Sequence, residues 1–90
     1  MKPILFNEDK NNRLIKVRNI SFEHIIEKLV NEDIVNIISH HNNQKYSKQQ
    51  IFIIKLDDYI YLVPFIEEDS YIFLKTIIPS RKYTKKYLHT

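Results

Sequence analysis

The end of the chain gathers side chains that can bind phosphate. Arg81 begins a predicted terminal helix, where backbone N–H groups and the helix dipole favour an anion, and its guanidinium can hold two phosphate oxygens. Lys75 ends the preceding strand and could face the same cleft. The same helix carries cations suited to following a nucleic-acid backbone and a ring that could stack on an unpaired base: Lys82, Tyr83, Lys85 and Lys86.

The charge of the chain is unevenly distributed. The 90 residues carry a net charge of +3, and from Ser70 onward there are five bases and no acid. The residues before Ser70 hold nine bases and eleven acids. Such polarisation indicates an anionic partner for the basic end and says little about the fold.

Ordinary structural roles explain the same residues as well. Tyr83 and Tyr87 lie four apart, a spacing more often found in core packing. A terminal basic helix is usually a solvated face or a surface that grips an acidic partner. For Arg81 and Lys75, the residues alone favour a functional and a structural role about equally.

Candidates for proton transfer are fewer. His40 and His41 in a polar loop could shuttle a proton near neutral pH, and Tyr46 follows them. Adjacent loop histidines are more often exposed bystanders, and their spacing is not that of a zinc site. His24, in the first turn of a helix, is expected to be structural. A general base could lie in the acidic turn at residues 67–69, which more often serves solubility.

The composition narrows the class of protein. A chain of this length predicts one domain, here residues 1–90, and 43% hydrophobic with 28% charged residues is typical of a globular chain. The absence of cysteine excludes disulfides and Cys-based zinc sites or nucleophiles, and the absence of glycine excludes Gly-rich phosphate loops. No apolar run has the length of a membrane span and no signal peptide is visible. We expect a cytoplasmic protein without a metal or another cofactor.

Hydrophobic spacing predicts the order β-α-α-β-β-β-β-α. Residues 3–6 form a short strand, and a helix at residues 8–18 is capped by Asn7 and ended by a left-handed Asn19, with its apolar residues Leu14, Ile15 and Val17 turned inward. Ser21 caps a second helix, which has one buried face. That face comprises Phe22, Ile25, Ile26, Leu29 and Val30.

The second half of the chain is predicted to be a meander of strands. They cover residues 34–38, 51–56, 59–65 and 71–78, with a polar loop at residues 39–49. Asp57 and Asp58 form a tight hairpin turn. A helix at residues 80–87 ends the chain. The predicted fold class is α+β, with two N-terminal helices packed on an antiparallel-rich sheet of four to five strands and a short C-terminal helix.

Three groups of residues, near the start, in the middle and near the end of the chain, have a distinctive order and spacing. Near the start are Phe6, the pair Lys10-Asn11, and the segment at residues 17–22, in which Arg18 and Asn19 stand where His and Gly are usual and Ile20 and Phe22 match. Near the end, residues 75–82 fit a strand that finishes in a basic residue, two branched aliphatics and Ser-Ala-Arg-Lys, with a departure from that pattern at Pro79. The loop between them carries a His-x-Asn-x-x-Lys-Tyr pattern formed by His40, Asn42, Lys45 and Tyr46.

This order and spacing resemble the BrnT toxins of the RelE/ParE-type superfamily of bacterial type II toxin–antitoxin systems. The resemblance covers most of the chain. It implies a RelE-like fold and a metal-independent endoribonuclease that inhibits translation, with RNA as substrate. It also implies a ribbon-helix-helix antitoxin, itself DNA-binding, as the partner, and no association with membrane.

RNA cleavage without a metal needs a base for the 2′-OH proton, an acid for the 5′-oxygen and cations for the phosphorane. We therefore expect four catalytic residues, Arg81, Lys75, His40 and Tyr46. The residues expected to bind RNA are Lys82, Tyr83, Lys85, Lys86, Lys45 and Lys10. Two alternatives remain: a non-catalytic RNA-binding or degenerate toxin module, and a ParE-like inhibitor of DNA gyrase.

Overall fold

The fold is described from a computed structural model that covers residues 2–39 and 49–88. Within these residues there are three helices and six strands. In chain order they are β1 (Ile4–Leu5), α1 (Glu8–Arg18), α2 (Phe22–Val30), β2 (Asn36–Ser39), β3 (Gln49–Leu56), β4 (Tyr59–Glu67), β5 (Ile72–Leu74), β6 (Ile78–Pro79) and α3 (Arg81–Leu88).

The strands form one sheet in the order β1-β5-β4-β3-β2, and β6 also pairs with β4. Every pairing is antiparallel except that of β1 with β5. The predicted α+β class and the antiparallel-rich sheet are confirmed. The described strands are six rather than four to five because one predicted strand is divided in two.

Both predicted helix starts and the predicted end of α1 are confirmed. The Asn7 side chain accepts a hydrogen bond from the Lys10 backbone N–H at 2.9 Å, and the Ser21 hydroxyl accepts one from the His24 backbone N–H at 3.2 Å. Asn19 ends α1 with φ 55° and ψ 38°. Asparagine tolerates this left-handed conformation better than most residues, so it serves where glycine is the usual choice.

The buried faces of the two helices are narrower than predicted. Ile15, Val17 and Val30 are 44%, 70% and 54% exposed, so their predicted inward orientation is wrong. On α1 the buried residues are Leu14 and Asn11, three positions apart, which makes the inward stripe short and partly polar. Val30 is the last residue of α2 and follows Leu29, the last buried residue of that helix.

The β3–β4 hairpin has the predicted two-residue turn. Leu56 pairs with Tyr59, and Asp57 and Asp58 between them have φ of 50° and 63°. Two consecutive positive φ values define the type I′ turn, whose twist matches that of the flanking strands. Aspartate tolerates such values, so the prediction is confirmed.

The predicted long strand at residues 71–78 is wrong. Leu74 pairs with Phe65 and Ile78 pairs with Leu62, so three residues of this segment lie opposite only two of β4. That count is a bulge, and it divides the segment into β5 and β6. At the bulge the Lys75 N–H donates to the Pro64 carbonyl at 2.8 Å, but proline has no N–H to return.

The predicted strand at residues 34–38 is shifted toward the C-terminus and becomes Asn36–Ser39. Ser39 and Gln49, predicted to be the ends of a polar loop, are strand residues. The rest of that predicted loop, residues 40–48, lies outside the described residues.

The sheet has a helix layer on each face. On one face, α1 and α2 pack against alternate residues of β3, β4 and β5. The core cluster on this side comprises Leu14, Ile20, Phe22, Ile25, Leu29, Phe52, Ile54, Val63, Phe65, Leu74 and Ile77. On the other face α3 packs against β4 and covers Ile60, which is fully buried. The terminal helix is therefore carried by the sheet and separated by it from the first two helices.

Candidate nucleic-acid interface

Two hydrogen bonds attach the start of α3 to the edge of β4. The Ser80 N–H donates to the Ile60 carbonyl at 2.9 Å, and the Ile60 N–H donates to the Thr84 hydroxyl, also at 2.9 Å. The same hydroxyl donates to the Ser80 carbonyl at 2.7 Å. The N–H and the carbonyl of Ile60 thus form their hydrogen bonds with Ser80 and Thr84, in the place where a neighbouring strand would usually supply partners.

The first turn of α3 carries two cations and no acid. The Ser80 hydroxyl caps the helix by accepting from the Tyr83 N–H at 3.1 Å. Arg81 and Lys82 follow the cap, and the first turn contains no acid to balance the helix dipole. An anion at this end of the helix would find partial and full positive charges together.

The cations of α3 are exposed and available. Arg81, Lys82, Lys85 and Lys86 all face solvent, and none forms an ion pair with an acid in residues 2–39 or 49–88. The ion pairs among those residues join Lys2 to Glu67, Lys28 to Asp33 and Lys55 to Asp58. Among the described residues, no acid therefore neutralises the positive charge of α3.

The two tyrosines of α3 pack on each other. Their ring centroids are 6.1 Å apart and the planes differ by 18°. The Tyr87 hydroxyl also accepts a hydrogen bond from the Asn36 side chain at 3.2 Å, which attaches the end of α3 to the first residue of β2. Lys86 lies 5.7 and 5.6 Å from the two ring centroids, and Lys82 lies 5.8 Å from that of Tyr83. Neither tyrosine belongs to the core cluster, so these contacts are not the core packing that the spacing suggested, and the role of the half-buried Tyr83 toward RNA stays a prediction.

Lys75 is exposed but is attached to a different part of β4. Its N–H meets the carbonyl of Pro64, whereas that of Ser80 meets the carbonyl of Ile60. Four residues of strand separate these two points, a distance of about 13 Å. The convergence of Lys75 and Arg81 on one phosphate stays a prediction.

The remaining predicted residues lie elsewhere. Lys10 is half-buried on α1, on the face of the sheet opposite to α3, so the fold does not bring it to the cations of α3. His40, Lys45 and Tyr46 lie outside the described residues.

Asn11 has a structural role that the hydrophobic pattern did not indicate. It is 2% exposed; its carbonyl oxygen accepts from the Phe22 N–H at 2.7 Å, and its amide donates to Glu23 Oε1 at 2.8 Å. The hydrogen bond from Asn11 is the main cause that lowers the pKa of the Glu23 carboxyl below its ordinary value. Asn11 therefore joins α1 to the start of α2. The sequence signal that could have indicated its burial is its position three residues before Leu14, on the same face of the helix.

A second surface feature was also missed by sequence reasoning. A cleft of about 300 Å³ opens between the α1–α2 junction and the β3–β4 turn. Its polar lining comes from Arg18, Asn19, His24, Asp57 and Tyr61. They come from two separate segments of the sequence, residues 18–24 and residues 57–61, and no spacing rule connects the two segments.

Comparison with protein-family models, curated proteins and solved structures gives no match for this chain. The resemblance to BrnT toxins therefore depends on the residues quoted above. None of the helices in the described part of the chain is long and apolar enough to cross a membrane. In that same part, no three His, Asp or Glu side chains are grouped so that they could hold a metal ion.

Proposed function

We propose that this protein is the toxin of a type II toxin–antitoxin system, a cytoplasmic endoribonuclease that cleaves mRNA and inhibits translation. The observation that carries the proposal is the α3 surface, which we define as Arg81, Lys82, Lys85 and Lys86. Four exposed cations without an acidic partner among the described residues stand on a helix that is bonded to the sheet edge. Such a surface suits a polyanion, and the resemblance to BrnT toxins specifies RNA.

The chemistry proposed for the site requires no metal. The 2′-oxygen bonds to phosphorus while the bond from phosphorus to the 5′-oxygen breaks, which leaves a 2′,3′-cyclic phosphate. A base accepts the 2′-OH proton, and an acid protonates the 5′-oxygen. Arg81 holds the phosphate and stabilises the extra charge of the phosphorane through its planar fork, with Lys75 as a second cation. His40 and Tyr46 are the proposed proton carriers.

The other α3 cations have a binding role in this proposal. Lys82, Lys85 and Lys86 follow the phosphates that flank the scissile bond, and Tyr83 offers a ring to an unpaired base. In the cell the same surface is covered by an antitoxin of the ribbon-helix-helix type. An acidic helix of that partner would meet the α3 cations directly and exclude RNA.

A binding module without catalysis is the second candidate. It is favoured by one observation: among the described residues no carboxylate or imidazole forms a hydrogen bond or an ion pair with Arg81. A ParE-like inhibitor of DNA gyrase is the third candidate, because the exposed cations of α3 would suit a target that contains DNA as well as they suit RNA.

The test is induced expression followed by mapping of RNA ends, with purified protein then incubated with a single-stranded RNA in the presence of EDTA. The proposal predicts growth arrest, discrete cleavage sites and 2′,3′-cyclic phosphate ends. RNA that is bound but never cut would support the binding module. Growth arrest with intact RNA and relaxed or broken DNA would support the gyrase inhibitor.

A further inference from the structure

The cleft at the α1–α2 junction has the size of a small-ligand site. Arg18, Asn19 and His24 line one side, and Asp57 and Tyr61 line the other. Its volume of about 300 Å³ lies at the lower end of the range for ligand pockets, about 300–1,000 Å³. One nucleotide is therefore the largest unit of a nucleic acid that the cleft could enclose.

The polar side chains that line the cleft are not engaged by hydrogen bonds or ion pairs among the described residues, although the Tyr61 ring packs edge-on against Tyr59. None of the five forms a hydrogen bond or an ion pair through its side chain with another residue in the described ranges. Arg18, Asn19, His24 and Asp57 are exposed, and the half-buried ring of Tyr61 packs beside the core. Donors, an acceptor and an aromatic ring therefore converge on the same space.

The mixture of charges selects the class of ligand. A simple anion would be attracted by Arg18 but repelled by the Asp57 carboxylate. A nucleotide carries both complementary parts, because its phosphate can pair with Arg18 while amino groups of its base can donate to Asp57. The ring of Tyr61 offers the face on which a base stacks.

The cleft lies on the α1–α2 face of the sheet and α3 lies on the other face, but the start of α3 comes near the cleft at the strand edge. Tyr61 on β4 is the register partner of Pro79 on β6, and Arg81 follows two residues later. Directly opposed strand residues have Cα atoms up to about 5.5 Å apart, and successive Cα atoms are 3.8 Å apart, so the Cα atoms of Tyr61 and Arg81 are at most about 13 Å apart. An arginine side chain and one nucleotide can bridge that distance together.

We propose that this cleft binds one unpaired nucleotide of the RNA strand, adjacent to the phosphate held by Arg81. This inference rests on the proposed function, because it takes the occupant of the α3 surface to be RNA. The Asp57 and Asn19 side chains would read the edge of the base, so the cleft would give the protein a preference for one nucleotide beside the cleavage site.

The test uses the four nucleoside 5′-monophosphates as probes, titrated into ¹⁵N-labelled protein and followed by NMR. We expect the amide signals of Asn19, His24 and Asp57 to shift, with one nucleotide binding most tightly. Arg18→Ala should weaken that binding about tenfold, the loss expected when one charge-assisted hydrogen bond is removed. Lys16→Ala removes the same charge from an exposed position of α1 outside the cleft and should leave binding unchanged.

Three outcomes would overturn the inference: no shift at the cleft, equal shifts with inorganic phosphate alone, or equal weakening by Lys16→Ala. RNA cleavage measured on the same samples separates the two proposals. If RNA is cleaved but the amide signals of the cleft do not shift with any nucleotide, the nucleotide site is refuted and the proposed endoribonuclease activity is supported. Nucleotide binding at the cleft without any cleavage of RNA supports the site and counts against the endoribonuclease.

Discussion

Thr84 and Ile60, 24 residues apart in the chain, share a buried hydrogen bond that attaches α3 to the sheet. The Ile60 N–H has the Thr84 hydroxyl as its acceptor at 2.9 Å, and Thr84 is only 6% exposed. The hydroxyl also donates to the Ser80 carbonyl, so one side chain joins the strand, the cap and the helix. The backbone of Arg81 follows Ser80 directly and so lies one residue from this contact.

Replacing Thr84 by valine should destabilise the protein. Valine keeps the shape of threonine but leaves the buried Ile60 N–H without an acceptor, which costs about 1–3 kcal/mol. Urea unfolding measures the loss, and Thr84→Ser, which keeps the hydroxyl, should recover most of it. Thr76→Val is the matched control, because Thr76 is half-buried and its side chain forms no hydrogen bond with a described residue. Equal stability of Thr84→Val and the wild type would show that the contact does not hold α3 in place.

The local parts of this fold could be predicted from the sequence, because caps and turns depend on a few neighbouring residues. Asn7, Asn19 and Ser21 each satisfy backbone groups within one helical turn, and the Asp57-Asp58 turn needs only two positive φ values. The bulge that divides residues 71–78 was not predictable in this way. It is set by Pro64 on the neighbouring strand, a contact that the spacing within the segment does not encode.

The candidate site follows the same division. The cations of α3 were evident from the sequence because charge on a terminal helix remains at the surface. The cleft was not, since it combines residues from α1, α2 and the β3–β4 hairpin that only the tertiary fold brings together. Asn11 was missed because its burial is explained by two hydrogen bonds to α2 and not by hydrophobic periodicity.

Replacing Asn11 by alanine should also destabilise the fold. The buried Phe22 N–H would lose its acceptor, at a cost of about 1–3 kcal/mol. Asn12→Ala is the matched control: Asn12 is exposed on the same helix, and alanine is the better helix former there. Chemical unfolding of both variants tests the expectation. Similar stabilities would mean that Asn11 does not join α1 to α2.

The hydrogen bond from Asn11 to Glu23 should give a pH-dependent contribution to stability. Since the pKa of the Glu23 carboxyl is lowered from its ordinary value of 4.5, its contribution is present above that value and is lost as pH falls through the lower folded-state pKa. The free energy of unfolding of wild type and Glu23→Gln should differ near neutral pH and become similar in acid. Glu27→Gln removes the same charge from α2 without affecting Asn11. A difference that grows in acid would have the wrong sign for this mechanism.

Removing Lys85 or Lys86 should weaken RNA binding mainly at low salt. Each lysine that neutralises one phosphate of a single strand contributes about 0.7 to the slope of log affinity against log salt. Lys85→Ala and Lys86→Ala should each reduce the slope by about that amount, while Lys16→Ala, which lies outside both the α3 surface and the cleft, should not. Fluorescence anisotropy of a labelled RNA over a range of salt concentrations supplies the slopes. An unchanged slope in both variants would place the RNA backbone elsewhere.

The catalytic role proposed for Arg81 depends on the rigid position of the start of α3. Ser80 caps the helix and is bonded to Ile60, so the guanidinium projects from a fixed point beside the sheet. A cation that stabilises charge only in the transition state contributes to the rate and little to the binding of RNA. Removing one such group typically costs about 3–4 kcal/mol, on the order of a hundred- to thousand-fold in rate, by analogy with lost oxyanion donors.

Arg81→Ala should therefore abolish toxicity and cut RNA cleavage at saturating RNA by that factor, while the protein stays folded. The side chain is exposed, and removing a cation from a helix N-terminus should, if anything, stabilise α3 slightly. Arg81→Lys should remain poor, because a lysine cannot hold two phosphate oxygens in a planar fork. Arg13→Ala, an exposed arginine on α1, controls for the loss of charge and should cleave normally. A folded Arg81→Ala protein that cleaves saturating RNA at the wild-type rate would show that Arg81 is not catalytic and that the basic end of the chain is only a binding surface.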